Sequence, residues 1–229
     1  MKQKIVVLTG AGISAESGIK TFRDSNGLWE EHRVEDVASP EGWARDKNLV
    51  LDFYNQRRRQ LLQCQPNRAH LALAELEEKY EVTIVTQNVD DLHERGGSTN
   101  IIHLHGELLK MRSSLDEDLV YDCTGDILLG VKCERGSQLR PYIVWFGEAV
   151  PKIEDAAQLV RHADILIVIG TSLVVYPAAG LINYSKYEIP KWLIDPHDMQ
   201  LPRIPNLKFI NKKATVGVDY LVKLLLADA

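Results

Sequence analysis

The sequence predicts an α/β fold built on a doubly wound parallel sheet. Three observations carry this. Short runs rich in β-branched residues (Ile5-Val6-Val7-Leu8, residues 82–86 and residues 164–169) read as strands buried on both faces. Helical patterns separate them, which implies parallel neighbours and crossovers. Each run ends in a glycine or an amide, Gly10, Gln87 or Gly170. In such a sheet the C-terminal strand ends form the ligand crevice.

Length and composition bound the rest. The chain has 229 residues, enough for one large domain or one with a small companion. Net charge is −5 with no long basic run, which argues against general nucleic-acid binding. The one basic cluster, Arg57-Arg58-Arg59, reads by itself as a solvated helix face. No segment reaches the ~18 apolar residues of a membrane span, and Met1 leads straight into a strand rather than a signal-peptide core. Cys64, Cys123 and Cys133 are too few for a disulfide scaffold, so a cytoplasmic location is expected.

In chain order, the first strand leads into Gly10, Gly12 and Ala15 in the pattern G-x-G-x-x-A. The glycines suit a tight turn and a close approach to a pyrophosphate, with a helix starting near Ser14. A plain strand-to-helix turn would use the same residues. Phe22-Arg23 follow in a loop suited to covering a ligand. Ser39-Pro40 starts a helix, cap then proline. A longer helix over about 47–64 carries an apolar stripe of Leu49, Val50, Phe53, Tyr54 and Leu61, broken by Arg57, and stops before Pro66. Asn67 caps an amphipathic helix with Ala69, Ala72, Leu73, Leu76 and Tyr80 on one face. These helices lie between the first two strands and predict a second, smaller layer.

Residues 101–105 form the next strand. Residues 107–138, charged and turn-rich, read as an appended module of short strands. Residues 142–146 return to strand, residues 153–161 are helical, and Gly170-Thr171-Ser172 follows the third buried run. A helix from Pro177, strands at 191–195 and 207–210, and a helix over 218–227 close the chain.

Gly10, Gln87, His105 and Gly170 all follow such strands, so four short polar or glycine stretches should meet in one crevice. Gln87-Asn88-Val89-Asp90 places amides and a carboxylate at a strand end, suited to ribose hydroxyls or a carboxamide, or to capping a helix. His103 and His105 share one strand face, and either could be a core histidine. His105, beside Gly106, is the better general base because it stands at the crevice.

GAGIS, GI-x-x-FR, TQN-x-D, H-x-HG, WFGE and GTS, in that order, resemble the sirtuins, NAD-dependent protein lysine deacylases. The resemblance runs from Lys4 to about Ala214. It implies a Rossmann-like large domain, about 1–34, 80–106 and 140–229. It also implies a small domain from a helical insertion, about 35–79, and a zinc-type module, about 107–139. NAD would lie between them, the sugar-phosphate cradled by Gly10, Ala11, Gly12, Ser14 and Ala15. Phe22 and Arg23 would belong to the cofactor loop, with Gln87 beside it. Asn88 would hold the ribose and Asp90 the carboxamide. Gly170, Thr171, Ser172, Asp195 and Ala214 would line the adenosine side. His105 would be the catalytic base, with Asn88 beside it. Val144, Phe146 and Gly147 on one edge and Val175 on the other would flank an acyl-lysine peptide added as a strand. The products would be free lysine, nicotinamide and O-acyl-ADP-ribose.

Tyr54 and Arg57, at i and i+3 on one helix, resemble the pair with which one sirtuin class reads succinyl, malonyl or glutaryl lysine. The expected preference is therefore succinyl or malonyl, with acetyl also possible. The chain also departs from the family. Ser113 stands near where a zinc cysteine would fall, and only Cys123 and Cys133 remain, so structural zinc is not expected. Lys20-Thr21 replaces the usual Pro-Asp, and Asp195 replaces an asparagine. The compact length fits a prokaryotic enzyme that could be monomeric, with no nucleic-acid or membrane partner. The alternative activity is a sirtuin-like ADP-ribosyltransferase or NAD hydrolase.

Overall fold

The computed structural model describes residues 2–19, 28–29, 32–171, 175–198 and 204–227. β1 (Lys4–Thr9) is buried from Ile5 onward. Ile5 and Val7 face one apolar layer, and Val6 and Leu8 face the other. The two-residue period of a strand thus serves two helical layers at once.

After β1 the sequence predicts an α-helix from Ser14. The chain instead makes two 3₁₀ turns, Ala11–Ile13 and Ala15–Ser17. A residue far along the chain holds both turns. Asn67 Nδ2 donates to the Ile13 carbonyl (2.8 Å) and to Ser17 Oγ (3.0 Å). The segment is thereby pinned to the start of α4, and Gly18 (φ +91°) closes the second turn in the left-handed region.

A short hairpin, β2 (Leu28–Trp29) and β3 (His32–Arg33), leads to α1 (Val34–Val37), α2 (Pro40–Arg45) and α3 (Lys47–Leu61). Ser39 Oγ accepts from Gly42 N at 2.9 Å, as the Ser-Pro start predicts. Asp46 caps α3 through Leu49 N (3.0 Å), and Asn67 caps α4 (Arg68–Glu75) through Ala69 N (2.9 Å). The continuation of α4 tightens into a 3₁₀ turn over Leu76–Glu78.

β4 (Glu81–Thr86), α5 (Leu92–Arg95) and β5 (Ile101–His103) follow. The small module is β6 (Gly106–Ser113), β7 (Val120–Asp122) and β8 (Leu139–Ile143). The strand expected over 142–146 ends at Ile143, so Trp145 to Glu148 form a turn. α6 (Ile153–His162), β9 (Ile165–Ile169), β10 (Lys191–Ile194), β11 (Leu207–Ile210) and α7 (Ala214–Ala227) complete the chain. The helix expected from Pro177 is 3₁₀, over Ala178–Tyr184.

β11-β10-β9-β1-β4-β5 form one parallel sheet, and β7-β6-β8 a separate antiparallel one. The order reverses between β1 and β9, the switch point at which such sheets bind ligands. α4 and α7 cover one face, and α6 with the 178–184 turn covers the other. A third apolar cluster joins α1, α2 and α3 to the small sheet.

Gly106 joins β5 to that sheet at φ +84°, where an added Cβ would lie 2.0 Å from the Tyr142 carbonyl. Only glycine lets β6 come this close to β8. No helix among the described residues is long and apolar enough to cross a membrane.

Candidate active site

Two backbone turns meet at the switch point. Gly10 N donates to the Ile169 carbonyl (3.0 Å) and Gly12 N to the Gly170 carbonyl (2.9 Å). A Cβ on Gly12 would sit 2.6 Å from Gly170 Cα. The close approach demanded of Gly12 is therefore to the neighbouring turn as well as to any phosphate. Ala11 is half-buried and Ala15 is exposed, so Ala15 does not pack a helix against the sheet. Thr171 is buried, and its hydroxyl accepts from Gln87 Nε2 at 3.3 Å. Asp195, at the end of β10, is 3% exposed and accepts from His197 N (3.0 Å) and Nδ1 (2.9 Å). Ala214 opens α7, whose Thr215 N and hydroxyl both donate to Glu16 at 3.0 Å. The first turn is thereby tied to the last helix. Phe22, Arg23 and Ser172 lie outside the described residues.

Ser14 is fully buried and forms a hub. Its hydroxyl donates to Asp90 Oδ2 (3.0 Å) and accepts from Asn88 Nδ2 (3.1 Å). A hydroxyl has one proton, so giving it to Asp90 forces Asn88 to present its amide N–H to Ser14. The Asn88 carbonyl oxygen is turned the other way. Asp90 Oδ1 also accepts from Leu92 N (3.2 Å), but Asp91 occupies the cap position of α5, so neither Asn88 nor Asp90 is the helix cap. Burial pushes the Asp90 carboxyl up to about 6.

His70 stands behind this hub. It accepts from Asn67 N at Nδ1 (3.2 Å), which leaves its Nε2–H facing Ser14 Oγ at 3.5 Å. Burial lowers its pKa to about 4, so the ring is neutral. His93, whose ring lies 4.9 Å from that of His70, reaches Thr9 Oγ1 at 3.1 Å. The sequence reading missed both. His70 was legible only as one more position on the packed side of α4.

The H-x-H pair separates by its partners. His103 faces the Asn88 carbonyl with Nδ1 (3.1 Å) and Glu94 Oε1 with Nε2 (2.7 Å). Both partners are acceptors, so both nitrogens carry protons and the ring is charged. Burial opposes that charge, and the Glu94 carboxylate outweighs it, raising the His103 pKa above 6.5. His105 faces the Gln87 carbonyl with Nδ1 (3.0 Å) alone. That bond fixes Nδ1–H and leaves Nε2 with a lone pair, while burial lowers the ring's pKa.

The His103–Glu94 pair has a pH signature. Its contribution is full below the ordinary histidine value of 6.5 and fades as pH rises through the higher folded value. On the acid side, burial acts to raise the Glu94 pKa, but the His103 bond wins and holds it below 4.5, so the benefit also fades as pH falls through that range. Glu94 is partly exposed, so Glu94→Gln should cost about 1 kcal/mol after screening. Melting curves should show the largest gap between variant and parent near pH 4.5–6.5, closing toward alkaline pH. A gap that widens with pH would contradict the charge assigned to His103.

At the expected peptide edges, Val144 N donates to the His105 carbonyl (2.9 Å), which ties that segment to the expected base. Phe146 is half-exposed and Gly147 turns at φ +92°. Val175, on the opposite edge, is half-buried, and its carbonyl accepts from Ala179 N at 2.8 Å. Tyr54 is fully buried on α3. Arg57 is half-buried, its guanidinium 4.6 Å from the Phe53 ring centroid.

The solvated-face reading of the arginine triplet fails at Arg58, which is 1% exposed. It donates to the Leu108 carbonyl (2.9 Å), Asn55 Oδ1 (2.8 Å) and the Gly125 carbonyl (3.2 Å), joining α3 to the small module. Arg59 alone is a solvated arginine, 3.4 Å from Asp126.

Residues 10–177 match the model of the Sir2 family. The chain belongs to the Sir2 family. A Helicobacter pylori protein named NAD-dependent protein deacylase is 54% identical over 227 residues, covering 99% of both chains. A solved Sir2 homologue–NAD complex is 40% identical with a TM-score of 0.89, covering 99% of this chain and 91% of that one. Another structure, Sir2 bound to acetylated peptide, is 29% identical with a TM-score of 0.80, covering 97% and 93%. The activity that comes with membership is NAD-dependent protein deacylation.

Within this Sir2 chain the zinc question turns on donor chemistry. Ser113 Oγ and Ser137 Oγ lie 2.6 Å apart, and Cys133 Sγ is 3.1 Å from Ser137 Oγ. Cys123 Sγ instead donates to the Gly125 carbonyl at 3.2 Å. Neutral hydroxyls are not the thiolate, imidazole or carboxylate ligands of structural zinc. No group of three or more His, Cys, Asp or Glu residues able to hold a metal ion occurs among the described residues.

Proposed function

We propose that this Sir2 chain removes acidic acyl groups, succinyl or malonyl ahead of acetyl, from lysines of proteins or peptides. The observation that carries the reading is the pairing of Arg57 with the buried Tyr54 one helical turn away. A half-buried guanidinium and a buried phenol that accepts from Trp145 Nε1 at 3.1 Å are suited to a carboxylate. Mass spectrometry of matched succinyl- and acetyl-lysine peptides, with and without NAD, tests it. The expected result is NAD-dependent loss of succinyl faster than acetyl. Acetyl loss alone would end the acidic-acyl reading.

The crevice fits NAD. It offers a backbone cradle too tight for a Cβ at Gly10 and Gly12, an oriented Asn88 amide, a buried Asp90 carboxyl and a lone pair on His105. NAD supplies an electrophilic ribose carbon once nicotinamide departs. The protein's share is placement and proton handling. In our reading Gly10, Ala11, Gly12 and Ala15 hold the phosphates, with Ser14 setting the hub beneath. Thr171, Asp195 and Ala214 line the adenosine side, with Phe22, Arg23 and Ser172 as the remaining cofactor contacts. Asn88 and Asp90 orient the ribose and carboxamide. His105 Nε2 takes the proton of a ribose hydroxyl. Val144, Phe146, Gly147 and Val175 align the peptide. Holding both reactants in contact removes much of the entropic barrier.

We further propose that the small module, built on residues 107–139 with the helical insertion 35–79, works without zinc. Antiparallel pairing, the Ser113–Ser137–Cys133 bonds and the shared apolar cluster support it. Tag-free protein should carry less than about 0.1 zinc per chain, and a chelator should leave its melting temperature unchanged. Stoichiometric zinc by mass spectrometry would contradict this. The three cysteines are unpaired and buried, consistent with a cytoplasmic location.

A further inference from the structure

The turn after β8 and helix α3 meet at one buried hydrogen bond. Trp145 is 2% exposed and Tyr54 0%, and the indole Nε1–H donates to Tyr54 Oη at 3.1 Å. An indole N–H only donates, so it takes up a lone pair of the phenol and turns the phenol's own proton toward another acceptor. Burial raises the Tyr54 pKa far above the ordinary tyrosine value, which keeps that proton in place.

The indole is itself clamped. The Arg140 guanidinium stacks 3.2 Å from its ring centroid, and Trp43 packs at 5.7 Å. Arg140 also forms a two-pronged pair with Glu148 (2.7 and 3.2 Å), whose Oε2 accepts from Trp145 N at 2.8 Å. The turn after β8 and the tyrosine expected to meet the acyl group are thus joined through one hydrogen-bonded and stacked cluster. Nothing in the motif spelling points to this contact, because the two residues stand 91 positions apart.

We propose that Trp145 is a specificity-determining positioning residue. Its indole N–H aims the Tyr54 hydroxyl so that the phenol proton is given to the carboxylate of an acidic acyl group. The proposal rests on the acidic-acyl reading. An acetyl group has no carboxylate to receive that proton, so the indole bond matters for one acyl class and not for the other.

The test is a double-mutant cycle of Trp145→Phe and Tyr54→Phe, with Arg57→Met as reference. Each variant is assayed for KM and kcat on succinyl- and acetyl-lysine peptides. Trp145→Phe keeps an aromatic ring under Arg140 and removes the donor. The expected result is a rise of about fivefold in KM for the succinyl peptide, the size of one neutral hydrogen bond, with less than a twofold rise for acetyl. The double variant should be no worse on succinyl than Tyr54→Phe alone. Equal losses on both peptides, no loss on succinyl, or additive losses in the double variant would each overturn the proposal. Should Tyr54→Phe and Arg57→Met both leave succinyl KM untouched, the acidic-acyl reading falls and takes the proposal with it. If those two variants lose succinyl and Trp145→Phe does not, the proposal alone falls. If Trp145→Phe does not fold, ¹⁵N-tryptophan NMR of the parent and Tyr54→Phe replaces it. One of the four indole resonances should move in Tyr54→Phe, and in the parent the succinyl peptide should move it more than the acetyl peptide. An indole resonance indifferent to both overturns the proposal.

Discussion

Replacing His105 with alanine is expected to lower acyl-lysine turnover by about 10²–10⁴-fold, the usual worth of a positioned general base. The ring meets the two demands on such a base. Its Nδ1 is held by the Gln87 carbonyl at 3.0 Å, which fixes the tautomer and leaves Nε2 able to accept a proton. Burial lowers its pKa, so the ring is already neutral near pH 7. The sign follows: parent activity should fall on acidification as His105 takes a proton, with a midpoint below the ordinary value of 6.5. His103 cannot take over, because both of its nitrogens are committed, to the Asn88 carbonyl and to Glu94. The loss should fall on acyl transfer to the ribose, with nicotinamide release less affected and NAD binding retained by calorimetry. A variant within tenfold of the parent, still folded, would move the base elsewhere.

The contrast between the two histidines marks where sequence reading stops. Alternation places His103 and His105 on one strand face, but their charge depends on what faces each nitrogen, and Glu94 comes from a different turn of chain. The same limit appears after β1. The strand is legible because a β-branched run must be buried on both sides. Where a helix is expected from Ser14, two 3₁₀ turns stand instead, held by Asn67 from more than fifty positions away. A local pattern cannot register a distant partner. The arginine triplet is the third case. Neighbours on a helix point about 100° apart, so three identical residues meet three environments. Only the packing of the small module decides that Arg58 is interior and Arg59 is not. What the motifs do place is position: Gly12, Asn88, Asp90 and Thr171 follow β1, β4 and β9, and His105 follows the edge strand β5, in or beside one hydrogen-bonded crevice.

On the proposed acidic-acyl reading, Arg57→Met should abolish the preference for succinyl over acetyl. A charge-assisted hydrogen bond to a carboxylate is worth about 1.5–3 kcal/mol, so kcat/KM on a succinyl-lysine peptide should fall about 10- to 100-fold. On an acetyl-lysine peptide the fall should be much smaller. Methionine keeps the length and apolar stem that pack along α3, so a change confined to one acyl class reads the charge and not the fold. The guanidinium lies 4.6 Å from the Phe53 ring centroid, a cation–π contact that steadies it. In the same reading Tyr54 would add a second, neutral donor, since burial raises its pKa and retains its proton. The two residues therefore differ in what salt should do. The Arg57 part of the preference should weaken as ionic strength rises, while the Tyr54 part should not. Measuring the succinyl-to-acetyl ratio for Arg57→Met and Tyr54→Phe at two salt concentrations separates them. Equal losses on both peptides in Arg57→Met would make the arginine a packing residue, and full desuccinylation would remove it from the pocket's chemistry altogether.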